Sequence, residues 1–233
     1  MFYKIGHRGA AGYAPENTPE SFHKALGLDI DMIELDVYNC KSKELVVIHD
    51  SNTKRTHGKN LIIEKTEYQE LKKIGIPSLE EVLNLIDKKV IVNIELKGKN
   101  TAQPTATIIK KYIRENGWPL ENFLISSFDK KNLLKMQEIF PEIKKGVLIG
   151  NRNISSRLIK KMPIIFNWHL GFAKKIKAFS IHMPKNLTNE KIIRMAHKNN
   201  LKIFAYTVNQ KKEINYLKSI GVDGIFSDYP NRL

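Results

Sequence analysis

Residues 32–37 read Met-Ile-Glu-Leu-Asp-Val, a short apolar run interrupted by two acidic residues that are two positions apart. Side chains alternate between the two faces of an extended strand, so Glu34 and Asp36 share one face and their apolar neighbours share the other. Two like charges on one inward face repel each other and lose hydration, so they need a cation nearby. The stretch predicts a strand that packs against helices on one side and carries an anionic site on the other.

Similar β-rich apolar runs recur along the chain and alternate with helix-like segments. The further candidate strands cover residues 2–6, 45–49, 90–96, 123–126, 146–149, 178–182, 202–206 and 224–227. This alternation, without a linker rich in Pro, Gly or Ser, predicts an α/β fold with a parallel sheet. A closed barrel is the best fit, and the length of 233 residues suits a single domain over residues 1–233.

Several residue patterns indicate where helices begin. Ser78 with Glu81 is a capping box, and Thr18 precedes a proline at the first helical position. Thr188 and Asn209 are also expected to cap helices. Residues 151–177 are the least regular part of the chain, and we expect short helices there.

The charge balance is strongly basic. The chain has 39 Lys plus Arg and 24 Asp plus Glu, so its formal charge is 39 − 24 = +15. Such a surplus attracts nucleic acid, anionic membranes or phosphate-bearing small molecules. The lysines, however, are scattered in pairs through the predicted helices, which is typical of a solvated exterior. We therefore expect no nucleic-acid partner.

The compartment is indicated by weaker features. A single cysteine, Cys40, excludes an internal disulfide. The first residues lack the sustained apolar core of a signal peptide, and no run of about 18 uncharged apolar residues occurs that could span a membrane. A cytoplasmic protein without a membrane span is the expectation.

A second polar pair, Glu95 and Lys97, has the same spacing of two. Glu95 lies near the end of the candidate strand at 90–96, and Lys97 directly follows it. Polar residues at the carboxyl ends of barrel strands are where such folds build active sites. With Glu34 and Asp36 they place three carboxylates and a lysine at one mouth. Oxygen-only ligands suit one hard divalent cation, Mg²⁺ or Ca²⁺, with Mn²⁺ as a further candidate.

Two histidines also follow candidate strands. His7 comes directly after the first strand and His49 ends the strand at 45–49, so both should reach the same mouth as a general acid and base. Arg8 and Lys97 supply positive charge for a phosphate there. Together these residues predict metal-assisted phosphoryl transfer. The remaining histidines have no comparable setting and are expected to be structural (His23, His57, His169, His182 and His197).

An ordered series of motifs extends over nearly the whole chain. They are His7-Arg8-Gly9, Pro15-Glu16-Asn17-Thr18, Ile33-Glu34-Leu35-Asp36-Val37, Val46-Val47-Ile48-His49-Asp50, Arg55-Thr56, Pro77-Ser78-Leu79-Glu80-Glu81-Val82-Leu83, Asn93-Ile94-Glu95-Leu96-Lys97, Ser126-Ser127-Phe128-Asp129, Ala205-Tyr206-Thr207-Val208-Asn209 and Gly221-Val222-Asp223-Gly224-Ile225-Phe226-Ser227-Asp228-Tyr229-Pro230. In this order they resemble the glycerophosphodiester phosphodiesterase family, and in particular its compact bacterial members.

The resemblance implies a TIM-type (β/α)8 barrel that hydrolyses glycerophosphodiesters to glycerol 3-phosphate and an alcohol, in lipid and glycerol metabolism. It also implies roles for individual residues: metal ligands at Glu34, Asp36 and Glu95, acid and base at His7 and His49, phosphate contacts at Arg8 and Lys97, and supporting positions at Glu16 and Asn17. Phe128 and Tyr206 match positions near the substrate, although packing at the mouth would explain them equally well.

The sequence departs from the family pattern in three places. Tyr206 stands where Trp is usual, so an altered substrate contact is expected. Asn39-Cys40-Lys41 replaces a common turn, and His57 replaces a second Thr after Arg55-Thr56. These two changes leave the chemistry intact but alter the expected loop conformation.

Two alternatives remain open from the sequence. A lysophospholipase D activity would need an apolar groove, for which the candidates are Phe166, Trp168, Leu170 and Phe172, although buried packing explains these residues better. A non-catalytic barrel that binds phosphate or nucleic acid would suit the charge. Whether the protein is a monomer or a homo-oligomer is undecided.

Overall fold

The protein was analysed as a computed structural model that describes residues 1–150 and 162–233. Eight parallel strands and one antiparallel strand form its sheet. They are β1 (Tyr3–Gly6), β2 (Met32–Asn39), β3 (Leu45–Val47), β4 (Ile91–Leu96), β5 (Phe123–Ser127), β6 (Lys144–Leu148), β7 (Ser180–Pro184), β8 (Lys202–Tyr206) and β9 (Gly224–Ser227). The strands predicted from the sequence therefore all exist, with ends displaced by at most two residues.

The parallel strands close into a barrel. β1 pairs with β2, where Ile5 lies opposite Met32, and also with β9, where Ile5 lies opposite Phe226. The remaining neighbours follow the order β9, β8, β7, β6, β5, β4, β2. The predicted TIM-type (β/α)8 barrel is confirmed.

Helices surround the barrel and cover the outward faces of its strands. They are α1 (Pro19–Leu26), α2 (Lys54–His57), α3 (Tyr68–Lys73), α4 (Leu79–Ile86), α5 (Ala102–Asn116), α6 (Lys130–Ile139), α7 (Met162–Lys175), α8 (Glu190–His197) and α9 (Lys211–Ser219). Within the described ranges, none of these helices combines the length and apolarity that crossing a membrane requires.

Alternation along β2 divides its side chains as the sequence predicted. Ile33, Leu35 and Val37 are fully buried in the core between the sheet and the helices. A separate apolar cluster that includes Ile5 and Phe204 fills the inside of the barrel. On β2 its member Met32 precedes Glu34 and Asp36 on the same inward face, so the polar side chains lie toward the carboxyl end of the strand.

The segment between β2 and α4 departs from the expected alternation. β3 pairs with β2 in the antiparallel direction, with Val37 opposite Val47, and so it is not a barrel strand. Residues 40–78, which we call the insert, have a small apolar core of their own that includes Ile48 and Leu71. The expectation that His49 ends a barrel strand was wrong, because His49 follows this antiparallel strand instead.

Two of the four expected helix caps are confirmed. Thr18 accepts a hydrogen bond from the Ser21 backbone, and Ser78 forms the capping box with Glu81. The prediction that Thr188 caps a helix was wrong, because Asn189 is the N-cap of α8. Asn209 was also wrong, because Gln210 occupies the N-cap position of α9.

Short helices were expected over residues 151–177. Residues 162–175 form one continuous helix, α7, so that expectation was wrong for this part. Residues 151–161 lie outside the described residues. The aromatic residues expected near this helix do not form one groove, since Phe166 is fully buried while Trp168 is 70% exposed beneath the ammonium of Lys130.

Candidate active site

A cavity of about 900 Å³ opens at the carboxyl ends of the barrel strands. Its walls carry many residues that the sequence predicted for a site, namely His7, Arg8, Glu34, His49, Glu95, Lys97, Phe128 and Tyr206. Asp36, Glu16 and Asn17 lie behind this wall and contact its members. The structure therefore brings the predicted residues to one place from both ends of the chain.

The three predicted carboxylates form one buried cluster. Asp36 on β2 lies opposite Glu95 on β4 in the sheet register, and Glu34 is two residues earlier on the same inward face. One oxygen from each of the three lies within 4.8 Å of the others. Each of these residues is at most 8% exposed. The geometry fits a small cation with oxygen ligands.

Burial and mutual repulsion disturb the ionisation of this cluster. Burial and the neighbouring Asp36 raise the pKa of Glu34 well above its usual range. The same two causes raise the pKa of Glu95 to about 7. Burial acts in the same direction on Asp36, but the Lys97 and Arg8 cations hold the pKa of that carboxyl below its ordinary value.

A metal fits this donor set. Oδ1 of Asp36 is buried and accepts no hydrogen bond from the described part of the chain, and its nearest cation is Nζ of Lys97 at 3.7 Å. Like-charged groups held this close favour a bound cation, since a divalent ion would restore Glu34 and Glu95 to the ionised form that Asp36 already has.

Two cations flank the cluster. Nζ of Lys97 lies 2.9 Å from Oε1 of Glu95, and Nε of Arg8 lies 3.3 Å from Oδ2 of Asp36. Burial acts to lower the pKa of both cations, but the surrounding carboxylates raise it above the ordinary value. Both groups stay charged and line the cavity.

The backbone at Arg8 is itself unusual. Arg8 has a φ of 52°, in the left-handed region that costs energy for a residue with a side chain. In this conformation its N–H donates to Oε2 of Glu34 at 2.9 Å. The next residue, Gly9, has a φ of 86° and packs so closely on α1 that a Cβ would meet Ser21 at 2.5 Å. The loop therefore fixes Arg8 against both the cluster and α1.

His7 is held by a carboxylate from the other end of the chain. Its Nδ1 lies 2.7 Å from Oδ1 of Asp228. Asn209 donates to Oδ2 of Asp228 at 2.7 Å and accepts a hydrogen bond from the Asp228 backbone at 2.9 Å. Burial acts to raise the pKa of Asp228, but its hydrogen bond to His7 keeps that pKa below the ordinary value.

His49 has a different set of partners. Its Nδ1 lies 2.6 Å from Oδ1 of Asp50, and its Nε2 lies 3.1 Å from Nζ of Lys97. An ammonium can only donate hydrogen bonds, so Nε2 is the acceptor in this contact. Burial and the nearby cations lower the pKa of His49.

The two supporting residues contact the site from behind. Nδ2 of Asn17 donates to Oδ2 of Asp36 at 2.9 Å, and Oε1 of Glu16 accepts from Arg8 at 2.8 Å. Both belong to the loop between β1 and α1. They hold one carboxylate of the cluster and one of its cations in place.

Phe128 and Tyr206 lie together at the mouth. Their rings are 6.3 Å apart and nearly perpendicular. Phe128 is 46% exposed, and Nζ of Lys97 lies 5.8 Å from its ring centre. The hydroxyl of Tyr206 donates to the carbonyl of Ile149 at 2.6 Å. The pair forms an apolar wall beside the charged cluster.

Four residues of the site were not predicted from the sequence to belong to it. Asp50 and Asp228 orient the two histidines, and Arg55 and Asn209 hold those carboxylates. Asp50 directly follows His49, and Asp228 follows the last strand, so their positions were a usable signal. The contact of Asn209 with Asp228 and that of Arg55 with Glu16 join residues 19 and 39 positions apart, which the sequence pattern does not reveal.

His182 is the one structural histidine that reaches the cavity among the five expected. It is fully buried, stacks on Phe204 and hydrogen-bonds Ser180 at 2.8 Å. Burial lowers its pKa to about 3, so it is neutral near pH 7.

Comparison with known proteins extends these findings. A model of the glycerophosphoryl diester phosphodiesterase family matches residues 7–232. A glycerophosphodiester phosphodiesterase from Caldanaerobacter subterraneus subsp. tengcongensis is 32% identical over 244 residues, which cover 98% of this chain and 95% of the relative. A lysophospholipase D from Rattus norvegicus is 26% identical over 275 residues, which cover 98% and 84%.

Solved structures give the same result. The structure of an Oleispira antarctica phosphodiesterase in complex with the product sn-glycerol-3-phosphate has a TM-score of 0.81 and 26% identity, covering 98% of this chain and 93% of that one. A glycerophosphodiester phosphodiesterase from Thermotoga maritima has a TM-score of 0.79 and 26% identity, covering 99% and 96%. The likeness extends over the whole barrel.

Proposed function

The chain belongs to the glycerophosphoryl diester phosphodiesterase family, and from this premise we propose that it hydrolyses glycerophosphodiesters to glycerol 3-phosphate and an alcohol. The observation that carries the proposal is the meeting of the carboxylate cluster, two cations and two histidines in one cavity. As a member of this family it is a phosphoric diester hydrolase.

Glu34, Asp36 and Glu95 would hold one divalent cation, Mg²⁺, Ca²⁺ or Mn²⁺. Their buried oxygens and mutual repulsion support this role. When bound, such an ion acts as a Lewis acid toward the phosphodiester oxygens and offsets the charge that develops on them. Asn17 keeps the Asp36 carboxylate oriented through its hydrogen bond of 2.9 Å.

Arg8 and Lys97 bind the phosphodiester in this proposal. Arg8 offers a planar guanidinium that remains charged, and Lys97 offers a point charge that can move from His49 to a phosphoryl oxygen. Charge that is already positioned in a buried site stabilises a developing oxyanion more strongly than solvent does. Glu16 supports Arg8 from behind.

The contacts of the histidines favour different roles for them. Nε2 of His49 accepts a hydrogen bond from Lys97 while Nδ1 faces Asp50, so this ring is neutral and can take a proton. We assign His49 as the general base, which removes the proton of the attacking water or of a substrate glycerol hydroxyl. His7, held by the carboxylate of Asp228, donates a proton to the oxygen of the leaving alcohol.

Phe128 and Tyr206 would contact the carbon skeleton of the substrate. The exposed ring of Phe128 and the partly buried ring of Tyr206 are nearly perpendicular and lie next to the charged part of the cavity, which supports this role. Tyr206 is tied to Ile149 through its hydroxyl. Its ring therefore offers a fixed apolar face rather than a mobile hydrogen-bond donor.

A panel of diesters tests the substrate class. Purified protein is incubated with glycerophosphocholine, glycerophosphoethanolamine and glycerophosphoglycerol in the presence of Mg²⁺, Mn²⁺ or Ca²⁺, and glycerol 3-phosphate is measured. We expect release from at least one diester. Release of the phosphorylated head group in place of glycerol 3-phosphate would contradict the proposed bond cleavage.

A lysophospholipase D activity is the second candidate. It is favoured by the exposed ring of Phe128 at the mouth and by the likeness to the rat lysophospholipase D. Assaying lysophosphatidylcholine beside glycerophosphocholine separates the two activities. A kcat/KM higher for the lysophospholipid would favour this candidate.

A further inference from the structure

We propose that Arg55 is a positioning residue that couples phosphate binding by Arg8 to the orientation of His49. This inference rests on the proposed function and adds to it a residue of the insert, outside the barrel. Arg55 lies on the short helix α2, and its side chain reaches back to two carboxylates that each hold a different part of the site.

The contacts form a continuous chain of charged hydrogen bonds. Nε of Arg55 donates to Oδ2 of Asp50 at 2.6 Å, while the other oxygen of Asp50 lies 2.6 Å from Nδ1 of His49. The two terminal nitrogens of Arg55 donate to both oxygens of Glu16 at 2.8 and 2.6 Å. Oε1 of Glu16 also accepts from Arg8 at 2.8 Å. The Arg55 guanidinium is thus hydrogen-bonded both to Asp50, which contacts His49, and to Glu16, which contacts Arg8.

The geometry requires an arginine. Its guanidinium is planar and presents donors in a fixed fork, so it can meet one carboxylate with two nitrogens and a second carboxylate with the third. A lysine ammonium could reach one of the two carboxylates but could not fix their relative orientation. The arrangement therefore sets the angle between the Glu16 and Asp50 carboxylates.

The ionisation of the two carboxylates that Arg55 contacts agrees with this role. Burial acts to raise the pKa of Asp50, but hydrogen bonds from Arg55 and His49 bring it down to about 2. Burial likewise acts to raise the pKa of Glu16, and Arg55 and Arg8 hold it below its ordinary value. Both carboxylates are therefore ionised at neutral pH and can serve as fixed acceptors.

The exposure of the Arg55 side chain allows a positioning role to be distinguished from a role in folding stability. The Arg55 side chain is 49% exposed, whereas those of His49 and Arg8 are 10% and 16% exposed. Solvent screening at this half-exposed head group limits what its pairs contribute to folding stability, although a bidentate pair within a network contributes more than an isolated one. Removal of Arg55 should therefore change the kinetics far more than the melting temperature, and free guanidinium should be able to reach the place that its head group leaves.

The test compares wild type with Arg55→Ala on the best diester of the substrate panel. We expect kcat/KM to fall on the order of 100-fold, with a higher KM from the released Arg8 and a lower kcat from the loosened His49. Added guanidinium or methylguanidinium should restore a measurable part of that loss. Arg55→Lys should be intermediate, and it also provides a folded variant if Arg55→Ala is unstable.

Two further variants separate the contacts that lead from Arg55 through Glu16 to Arg8 from those that lead through Asp50 to His49. Glu16→Gln should mainly raise KM, because it releases Arg8, and Asp50→Asn should mainly lower kcat, because it releases His49. Either change combined with Arg55→Ala should cost less than the sum of the single effects, since the branch is already broken. Lys59→Ala is the matched control in the insert, as Lys59 pairs with Glu70 away from the cavity. It should behave as wild type.

The outcomes distinguish this inference from the proposed function. If wild type hydrolyses no diester, the proposed function fails, while calorimetry of glycerol 3-phosphate binding still tests the branch from Arg55 through Glu16 to Arg8. Weaker binding by Arg55→Ala than by Lys59→Ala supports the inference. Wild-type kinetics or binding in Arg55→Ala, or a loss that follows the melting temperature and is not restored by guanidinium, would overturn it.

Discussion

Nδ1 of His7 lies 2.7 Å from Oδ1 of Asp228, although the two residues are 221 positions apart in the chain. Closure of the barrel between β1 and β9 produces this contact, because both residues follow strands that pair with each other. The residue after the first strand is thus the proposed acid, and the residue after the last strand is the carboxylate that holds it. The active site depends on the ring being closed.

Replacing Asp228 tests this relationship. Asp228→Asn keeps the size of the side chain but removes its charge, so His7 loses the charged partner that fixes its ring. We expect kcat to fall by about 10²-fold or more, with KM changed by less than about threefold. Steady-state kinetics on glycerophosphocholine measures both.

The control for this variant is a second histidine–aspartate pair at a distance from the cavity. His197 lies 2.8 Å from Asp223 on the exterior, so His197→Gln should keep wild-type kinetics. An Asp228→Asn protein with the kcat of wild type would show that the contact does not orient the acid.

Metal binding should release protons. In the metal-free protein, burial and Asp36 raise the pKa of Glu95 to about 7, so this carboxyl is largely protonated below pH 7. A bound divalent cation would ionise it. Calorimetric titration with Mg²⁺ or Mn²⁺ in two buffers of different ionisation enthalpy should show proton release at pH 6 that declines by pH 8.

The sign for stability follows from the same shift. The pKa of Glu95 is higher in the folded, metal-free protein than in the unfolded chain, so the folded state binds more protons between about pH 4.5 and 7. The contribution of Glu95 to stability is therefore lost as pH rises through that window. Glu95→Gln should reduce the proton release to the share of Glu34, whose pKa is also raised, whereas Glu213→Gln, at a residue that pairs with Lys185, should leave the release at the wild-type value. Equal release in both variants would contradict the assignment of Glu95 as a ligand.

His182 gives a stability prediction of the opposite sign. Burial lowers its pKa to about 3, so the folded state binds fewer protons than the unfolded state between that value and about 6.5. Stability should therefore fall as pH decreases through this window, by up to about 1.4 kcal/mol per pH unit.

Urea unfolding at a series of pH values measures this effect. His182→Phe preserves the ring that stacks on Phe204 and removes the titrating group. The difference in unfolding free energy between wild type and this variant should therefore change with pH. A difference that stays constant from pH 7 to pH 4 would show that the pKa of His182 is the same in the folded and unfolded states.

The fold followed from the sequence because its decisive signals are local. The period of two places Ile33 and Glu34 on opposite faces of β2, and it places Ile94 and Glu95 on opposite faces of β4. Once the strands are parallel neighbours, register alone sets Asp36 beside Glu95. The carboxylate cluster thus needed no information beyond strand identity and order.

Other parts depended on contacts that a local pattern does not contain. Leu45 to His49 reads as a strand whether it pairs in the parallel or the antiparallel direction, so its position outside the barrel was not foreseen. Asn209 has the residue type and position of a helix cap, but hydrogen bonds to Ser227 and Asp228 use its side chain instead. In both cases a partner far away in the sequence decided the outcome.

The most direct test of the central claim is the release of glycerol 3-phosphate from glycerophosphocholine by metal-loaded wild type, by the same protein after exhaustive chelation, and by His49→Ala. The proposed function predicts release by wild type, loss of release on chelation, its recovery when Mg²⁺, Mn²⁺ or Ca²⁺ is added back, and near inactivity of His49→Ala. No release by wild type with any of these ions, or full release after chelation or by His49→Ala, would contradict it.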